Sequence, residues 1–148
     1  MEESMTLKQE TAQFLDKVPL FNSLNARQLE HLAKRTIGRN YEAGQTIVAQ
    51  GAVGEGFFIV QSGNAEAIVE RVDGTKSVVN TFGPTSFFGE LALLDDGPRT
   101  ASVIATEPTR CLAITRWDFQ SALREDSEMA ILILQELAKR FRQTLGSL

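Results

Sequence analysis

Between Gln45 and Ile114 the apolar residues come in six short runs, QTIVAQ, GFFIVQ, NAEAIVE, SVVNTF, TASVIAT and RCLAI, separated by glycine, asparagine, aspartate or proline. No helix can be laid through breaks so closely spaced, whereas extended segments of this length need only short turns between them. The Asp73-Gly74 pair stands between Ile68-Val69 and Val78-Val79 and tolerates positive φ, which makes it a hairpin signal. So many short strands in one stretch predict an antiparallel β-roll or jelly roll over residues 41–114.

Helical spacing brackets this region. Leu7, Phe14, Leu15 and Val18 recur at helical intervals before a break at Pro19, and Asn25 with Gln28 offers a capping box for a helix that buries Leu29, Leu32 and Ala33. These two helices are assigned to residues 1–40. Beyond Ile114, Thr115 with Asp118 opens a further helix, and Ser127 is the expected cap of the last one. Ile131, Leu134, Leu137, Ala138, Phe141 and Leu145 form its stripe, expected first to dock on the roll. The run Ile131 to Leu134 is apolar on all sides, which opens the alternative of a homodimer through this helix. The fold class is mainly β with flanking α, read as one domain over 1–148, with C-terminal helices from residue 115.

A chain of 148 residues with 43% hydrophobic and 23% charged residues suits a soluble globular domain. Its net charge of −4 argues against broad adhesion to nucleic acid or to an anionic membrane surface. The N-terminal MEESMTLKQE is polar and is no secretory leader, and no stretch reaches the roughly eighteen apolar residues of a spanning helix. A cytoplasmic location is expected. The single cysteine, Cys111, excludes an internal disulfide and reads as a buried structural thiol. The single histidine, His31, cannot furnish the ligand set of a metal enzyme, and neither a serine nor Cys111 has a second histidine to draw on. No catalytic residue and no metal site are expected.

The segment FFGELALLDDGPRTASV, residues 87–103, carries the chemistry. Glu90 to Leu94 are good helix formers, Gly97 suits a helix C-terminus and Pro98 prevents continuation, which predicts a short internal phosphate-binding helix. A helix of one to two turns is too short to build core, but its free N–H groups suit an anion, and Gly89 lets one approach. Alternation after Pro98 places Arg99, Ala101 and Val103 on the inward face of a strand, where the guanidinium needs a counterion. Glu90, beside that anion, would turn to a hydroxyl donor such as a ribose 2′-OH. On the residues alone a second account stays open, in which Glu90 complements the helix dipole and Arg99 pairs with it or with Asp95 or Asp96.

FGELALLDDGPRTASV resembles, without a gap, the phosphate-binding cassette of cyclic nucleotide-binding domains. These are the sensor modules of cyclic-AMP-dependent kinase regulatory subunits, cyclic-nucleotide-gated channels and catabolite-activator-type transcription factors. VPLFNSLNARQLEHLA and YEAGQTIVAQGAVGEGFFIVQSGNAEAIV extend the resemblance more weakly, to cover residues 14–145. The resemblance implies that Gly89, Leu91 and Ala92 present N–H groups to the cyclic phosphate or sugar, that Glu90 holds the 2′-OH and that Arg99 pairs with the phosphate. Thr100 and Ala101 would line the edge between phosphate and base, Val79 would reach the purine, and Phe88 completes the ligand-facing set. The implied regulatory ligand is cyclic AMP or cyclic GMP, with cyclic AMP favoured; Thr100 resembles a threonine that helps cyclic-GMP-dependent kinases choose guanine but that some cyclic-AMP-binding channels also carry, so the purine choice stays open.

The same resemblance implies a sensor that shifts its C-terminal helices to signal to a protein partner or output domain. Helix-turn-helix, kinase and pore elements are missing from the sequence, so direct nucleic-acid binding and membrane insertion are not expected of it. The chain is read either as a stand-alone sensor or as the sensor fragment of a transcription factor or other longer protein. The alternative from a different class is a β-roll that has lost its ligand and serves as an interaction or dimerisation module.

Overall fold

The computed structural model describes residues 6–54, 56–89 and 97–146. The chain divides into a helical unit, Met1–Arg35 with Phe119–Leu148, and a β unit, Thr36–Asp118.

In the helical unit, α1 (Leu7–Leu15) starts at Thr6, whose Oγ1 accepts the Gln9 N–H at 3.2 Å while Gln9 Oε1 accepts the Thr6 N–H at 2.9 Å. Its buried face begins at Thr11, so Leu7, one turn earlier, is 75% exposed rather than part of the packed face. The helix also ends sooner than the Pro19 signal suggested: tight turns from Lys17 N to Phe14 O and Val18 N to Leu15 O replace it, leaving Val18 buried in the connection. The next helix, α2 (Ala26–Ala33), has the expected Asn25–Gln28 capping box, with reciprocal bonds of 2.8 and 2.9 Å, and buries Leu29, Leu32 and Ala33.

Helix α3 (Arg116–Glu125) starts as expected, with the Asp118 N–H donating to Thr115 Oγ1 at 3.1 Å. For α4 (Ser127–Gly146) the cap is Asp126 and not Ser127, because Asp126 Oδ1 accepts the Met129 N–H at 3.0 Å and Ser127 already lies within the helix. That hydrogen bond holds the Asp126 carboxyl below its usual range. The side chains that α4 buries are Met129 and Ile133. The expected docking stripe is instead uncovered: Ile131, Leu134, Phe141 and Leu145 are 55, 56, 65 and 50% exposed, Ala138 is exposed and Leu137 half-buried. The reason is angular, since Met129 and Ile133 lie on a different side of the helix from the 131–134–138–141–145 series.

Among its described residues the β unit has eight strands: β1 (Ile37–Tyr41), β2 (Thr46–Val48), β3 (Gly56–Ser62), β4 (Ala65–Glu70), β5 (Lys76–Phe82), β6 (Phe87–Phe88), β7 (Ser102–Ala105) and β8 (Thr109–Thr115). They form two antiparallel four-stranded sheets in the orders β1-β8-β3-β6 and β2-β7-β4-β5, the interleaving of a jelly roll. Val60, Ala65, Ala67, Phe82, Phe88, Val103 and Cys111 make the core between them. Burial pushes the Cys111 thiol up to about 11. The Asp73-Gly74 turn is the expected hairpin, with Gly74 at φ +85° and the Arg71 N–H donating to Thr75 O at 2.8 Å. Strand β1 falls partly within the region assigned to helices. Its residues are polar or exposed almost throughout, so no alternation marks it.

Candidate functional site

Two stretches far apart in sequence, the loop after β2 together with the start of β3, and the residues that flank the 90–96 segment, meet around Arg99. The expected strand at Arg99 is not formed, since β7 starts only at Ser102. The backbone is paired nonetheless. The Arg99 N–H donates to Ala52 O at 2.7 Å, the Gly51 N–H donates to Arg99 O at 2.8 Å, and Pro98 bridges to Val53 in antiparallel fashion. Proline has no N–H to offer a regular ladder, and this irregular pairing does not ask for one.

Among the described residues, the half-buried guanidinium is held from three sides. Nη2 donates to Gly56 O at 2.5 Å, and the guanidinium carbon lies 5.9 Å from the centroid of the Phe58 ring, within cation–π range. The third side is the backbone of Gly89, which has φ +83°; a Cβ there would run into Arg99 Nη1 and stand 3.1 Å from Gly56 O. Glycine at 89 therefore serves the arginine directly, besides any approach it gives a ligand.

Gly56 and Phe58 share a face of β3, two residues apart. Phe58 pairs across the strands with Phe88, with ring centroids 5.4 Å apart and planes 9° from parallel, while Phe57 meets Phe87 at 5.4 Å and 50°. The GFF that opens β3 and the FF of β6 with the Gly89 that follows it are mirror images in sequence, and the two strands run antiparallel. This is the signal that sequence reading passed over: Gly56 and Phe58 both contact the Arg99 guanidinium, and neither was singled out.

The other candidates are distributed as follows. Phe88 is buried and also packs on Phe82 at 5.0 Å, so its side chain is committed to the core. Thr100 is exposed, and Ala101 is half-buried against the core cluster. Val79 is the extra residue of a β-bulge, since Ala67 pairs with Asn80 and Ile68 with Val78, and it is 54% exposed. A bulge re-aims the side chain it carries. Glu90, Leu91 and Ala92, the expected 90–94 helix, and Asp95 and Asp96 lie outside the described residues.

At the end of the same sheet, Arg116 Nη1 donates to Gly54 O at 3.4 Å and its guanidinium lies 5.0 Å from the centroid of the exposed Trp117 ring. In the helical unit, two open pockets of about 580 and 420 Å³ lie along α2 and α1, the first among His31, Lys34, Glu125 and Asp126 and the second among Ala12, Leu24 and Leu29. Among the described residues, neither is lined by one from 79–89 or 97–101. His31 Nε2 and Arg35 Nη2 reach the Glu125 carboxylate at 2.9 and 3.1 Å. Among the described residues no three His, Cys, Asp or Glu side chains are grouped to hold a metal, and no helix is long and apolar enough to cross a membrane.

Comparison with known proteins fits this arrangement. The family model described as "Cyclic nucleotide-binding domain" matches residues 38–126. A cAMP-dependent protein kinase regulatory subunit of Aspergillus fumigatus is 40% identical over 110 residues, covering 74% of this chain and 26% of that protein. The Cyclic AMP receptor protein of Thermus thermophilus is 32% identical over 125 residues, covering 84% of this chain and 58% of the receptor. The chain thus spans about a quarter of the fungal subunit and somewhat over half of the bacterial receptor. Among solved structures, the N-terminal domain of a Streptomyces coelicolor transcriptional regulator superposes with a TM-score of 0.81 at 30% identity, covering 88% of this chain and 94% of that one. The regulatory domain of Toxoplasma gondii PKA with cAMP gives 0.77 at 26% identity, covering 90% and 50%. With jelly roll, family match and relatives in agreement, the chain belongs to the cyclic nucleotide-binding domain family.

Proposed function

We propose that this chain is a cyclic nucleotide sensor that prefers cyclic AMP to cyclic GMP and is not an enzyme. The observation that carries the reading is the guanidinium of Arg99, fastened at its backbone to residues 51 and 52 and seated against Gly56, Phe58 and Gly89. A guanidinium carries its N–H donors in a planar fork, a geometry that suits the single charge of a cyclic phosphate. In this reading Gly89, Leu91 and Ala92 contribute backbone N–H groups to that phosphate or the sugar, and Glu90 accepts from the ribose 2′-OH. Thr100, Ala101 and Val79 lie toward the base, and Phe88 acts from beneath by fixing Phe58. The preference for cyclic AMP is supported by relatives whose names specify that nucleotide.

The signal is a population shift: the ligand favours the arrangement of the C-terminal helices to which it binds more tightly, and by no more than that difference. The output is a protein partner or an attached domain. Self-association through α4 is supported by the spacing of its uncovered residues, 131, 134, 138, 141 and 145, which follows the alternating three-and-four interval of a coiled-coil seam. Calorimetric titration with cyclic AMP and cyclic GMP tests the ligand. Tighter binding of cyclic AMP is expected; absence of heat with both, at millimolar nucleotide, leaves the interaction-module reading in its place. Hydrogen exchange of α4 with and without cyclic AMP tests the coupling, and identical protection rejects it.

A further inference from the structure

We infer that Phe58 is a positioning residue for ligand binding, acting through Arg99: its ring is the seat that aims the guanidinium at the anion. The inference rests on the reading of Arg99 as the phosphate partner. An arginine side chain has several rotatable bonds, and a guanidinium left to wander would lose much of its advantage when the ligand arrives. Among the described residues, three fixed groups restrain it. Gly56 O anchors one nitrogen, the Gly89 backbone closes one side, and the Phe58 ring supplies a face on which the cation is electrostatically favoured.

Phe58 is itself held in place. It is hydrogen-bonded through its strand to β6 on one side and β8 on the other, with Phe88 and Ala113 as its register partners, and its ring is stacked on that of Phe88. Phe88 immediately precedes Gly89. The stack therefore ties the ring beneath the cation to the backbone beside it, so that the two walls of the seat move together. Phe57 lies on the opposite face of β3, fully buried against Phe87.

The test is a double-mutant cycle in cyclic AMP affinity, using Phe58→Leu, Phe58→Tyr, Arg99→Ala and the Phe58→Leu/Arg99→Ala pair, with side-chain NMR of Arg99 in the ligand-free protein. Phe58→Leu keeps an apolar side chain but removes the π face, and is expected to weaken binding about three- to tenfold. Phe58→Tyr is expected to restore it. In the Arg99→Ala background Phe58→Leu should change affinity by less than about twofold. The Arg99 guanidinium resonances should show a ring-current shift in wild type and Phe58→Tyr that is lost in Phe58→Leu. An affinity loss of equal size in both backgrounds, or unshifted Arg99 resonances in wild type, overturns the seat alone. A wild-type protein that binds neither cyclic AMP nor cyclic GMP overturns the functional reading with it.

Discussion

Gly89 and Arg99 are packed so that any side chain on the first would occupy the space of the second's Nη1. Gly89→Ala is therefore expected to displace the guanidinium and to place an L-residue at φ +83°, which costs about 1–2 kcal/mol in stability. Cyclic AMP affinity should fall at least about tenfold, more than a stability change alone would produce while the protein remains folded. Calorimetry alongside thermal melting separates the two effects; unchanged affinity would show that Arg99 does not need this place.

Arg99→Ala removes the charge itself. Loss of one charge-assisted hydrogen bond, about 1.5–3 kcal/mol, corresponds to roughly ten- to a hundredfold weaker binding. Arg99→Lys keeps the charge without the planar fork, so it should fall between wild type and alanine. Equal affinities across the three proteins would place the phosphate elsewhere.

The uncovered face of α4 predicts self-association. Sedimentation of the wild type should show a concentration-dependent dimer, and Leu134→Glu or Phe141→Glu should yield a monomer with unchanged melting behaviour at low concentration. A wild type that stays monomeric at high micromolar concentration contradicts the coiled-coil seam.

Cys111 gives a prediction with a defined pH window. Its thiol is raised from 9.0 to about 11 by burial, so in the folded state it stays neutral where an unfolded chain would ionise. Its contribution to stability is present below about pH 9 and declines as pH rises through about 11. Alkylation at pH 8 should be negligible in the native protein and fast in denaturant, and Cys111→Ser should lower the melting temperature. Rapid native alkylation would contradict the burial.

At the start of α4, Asp126→Ala should lower the melting temperature and Ser127→Ala should leave it nearly unchanged. The Asp126 carboxyl is held low by the Met129 N–H, so its capping contribution is present above the ordinary aspartate range and is lost as pH falls through its depressed value. Asp126→Asn should keep most of the cap and lose that acid dependence. Equal effects of Asp126→Ala and Ser127→Ala would contradict the assignment.

How far the sequence could be read follows the physics of each element. The roll and its DG hairpin were legible because breaks at turn residues are a local signal, and so were the caps at Asn25 and Thr115. Strand β1 was illegible because its residues are polar or exposed, without apolar alternation, and its pairing with β8 is non-local. The α4 stripe was read correctly as a stripe, but periodicity does not say whether a face is covered. Asp126 was overlooked because two adjacent residues are both good caps and only geometry chooses. Around Arg99 the arginine and Gly89 were recognised, while the carbonyl of Gly56 and the ring of Phe58 were not. A backbone acceptor leaves no mark in a sequence, and an aromatic in a strand reads as core.

Arg99 is fastened at its backbone by Gly51 and Ala52 and at its tip by Gly56 and Phe58, all of them encoded well upstream of the segment that bears it. The contacts at Gly51, Ala52 and Gly56 are made by backbone groups, so it is the Phe58 ring that makes the upstream stretch and Arg99 a matched pair. A recombination crossover between Ser62 and Phe87 would join one parent's arginine to the other parent's cradle, and chimaeras made there should lose function more often than chimaeras joined before Gly51.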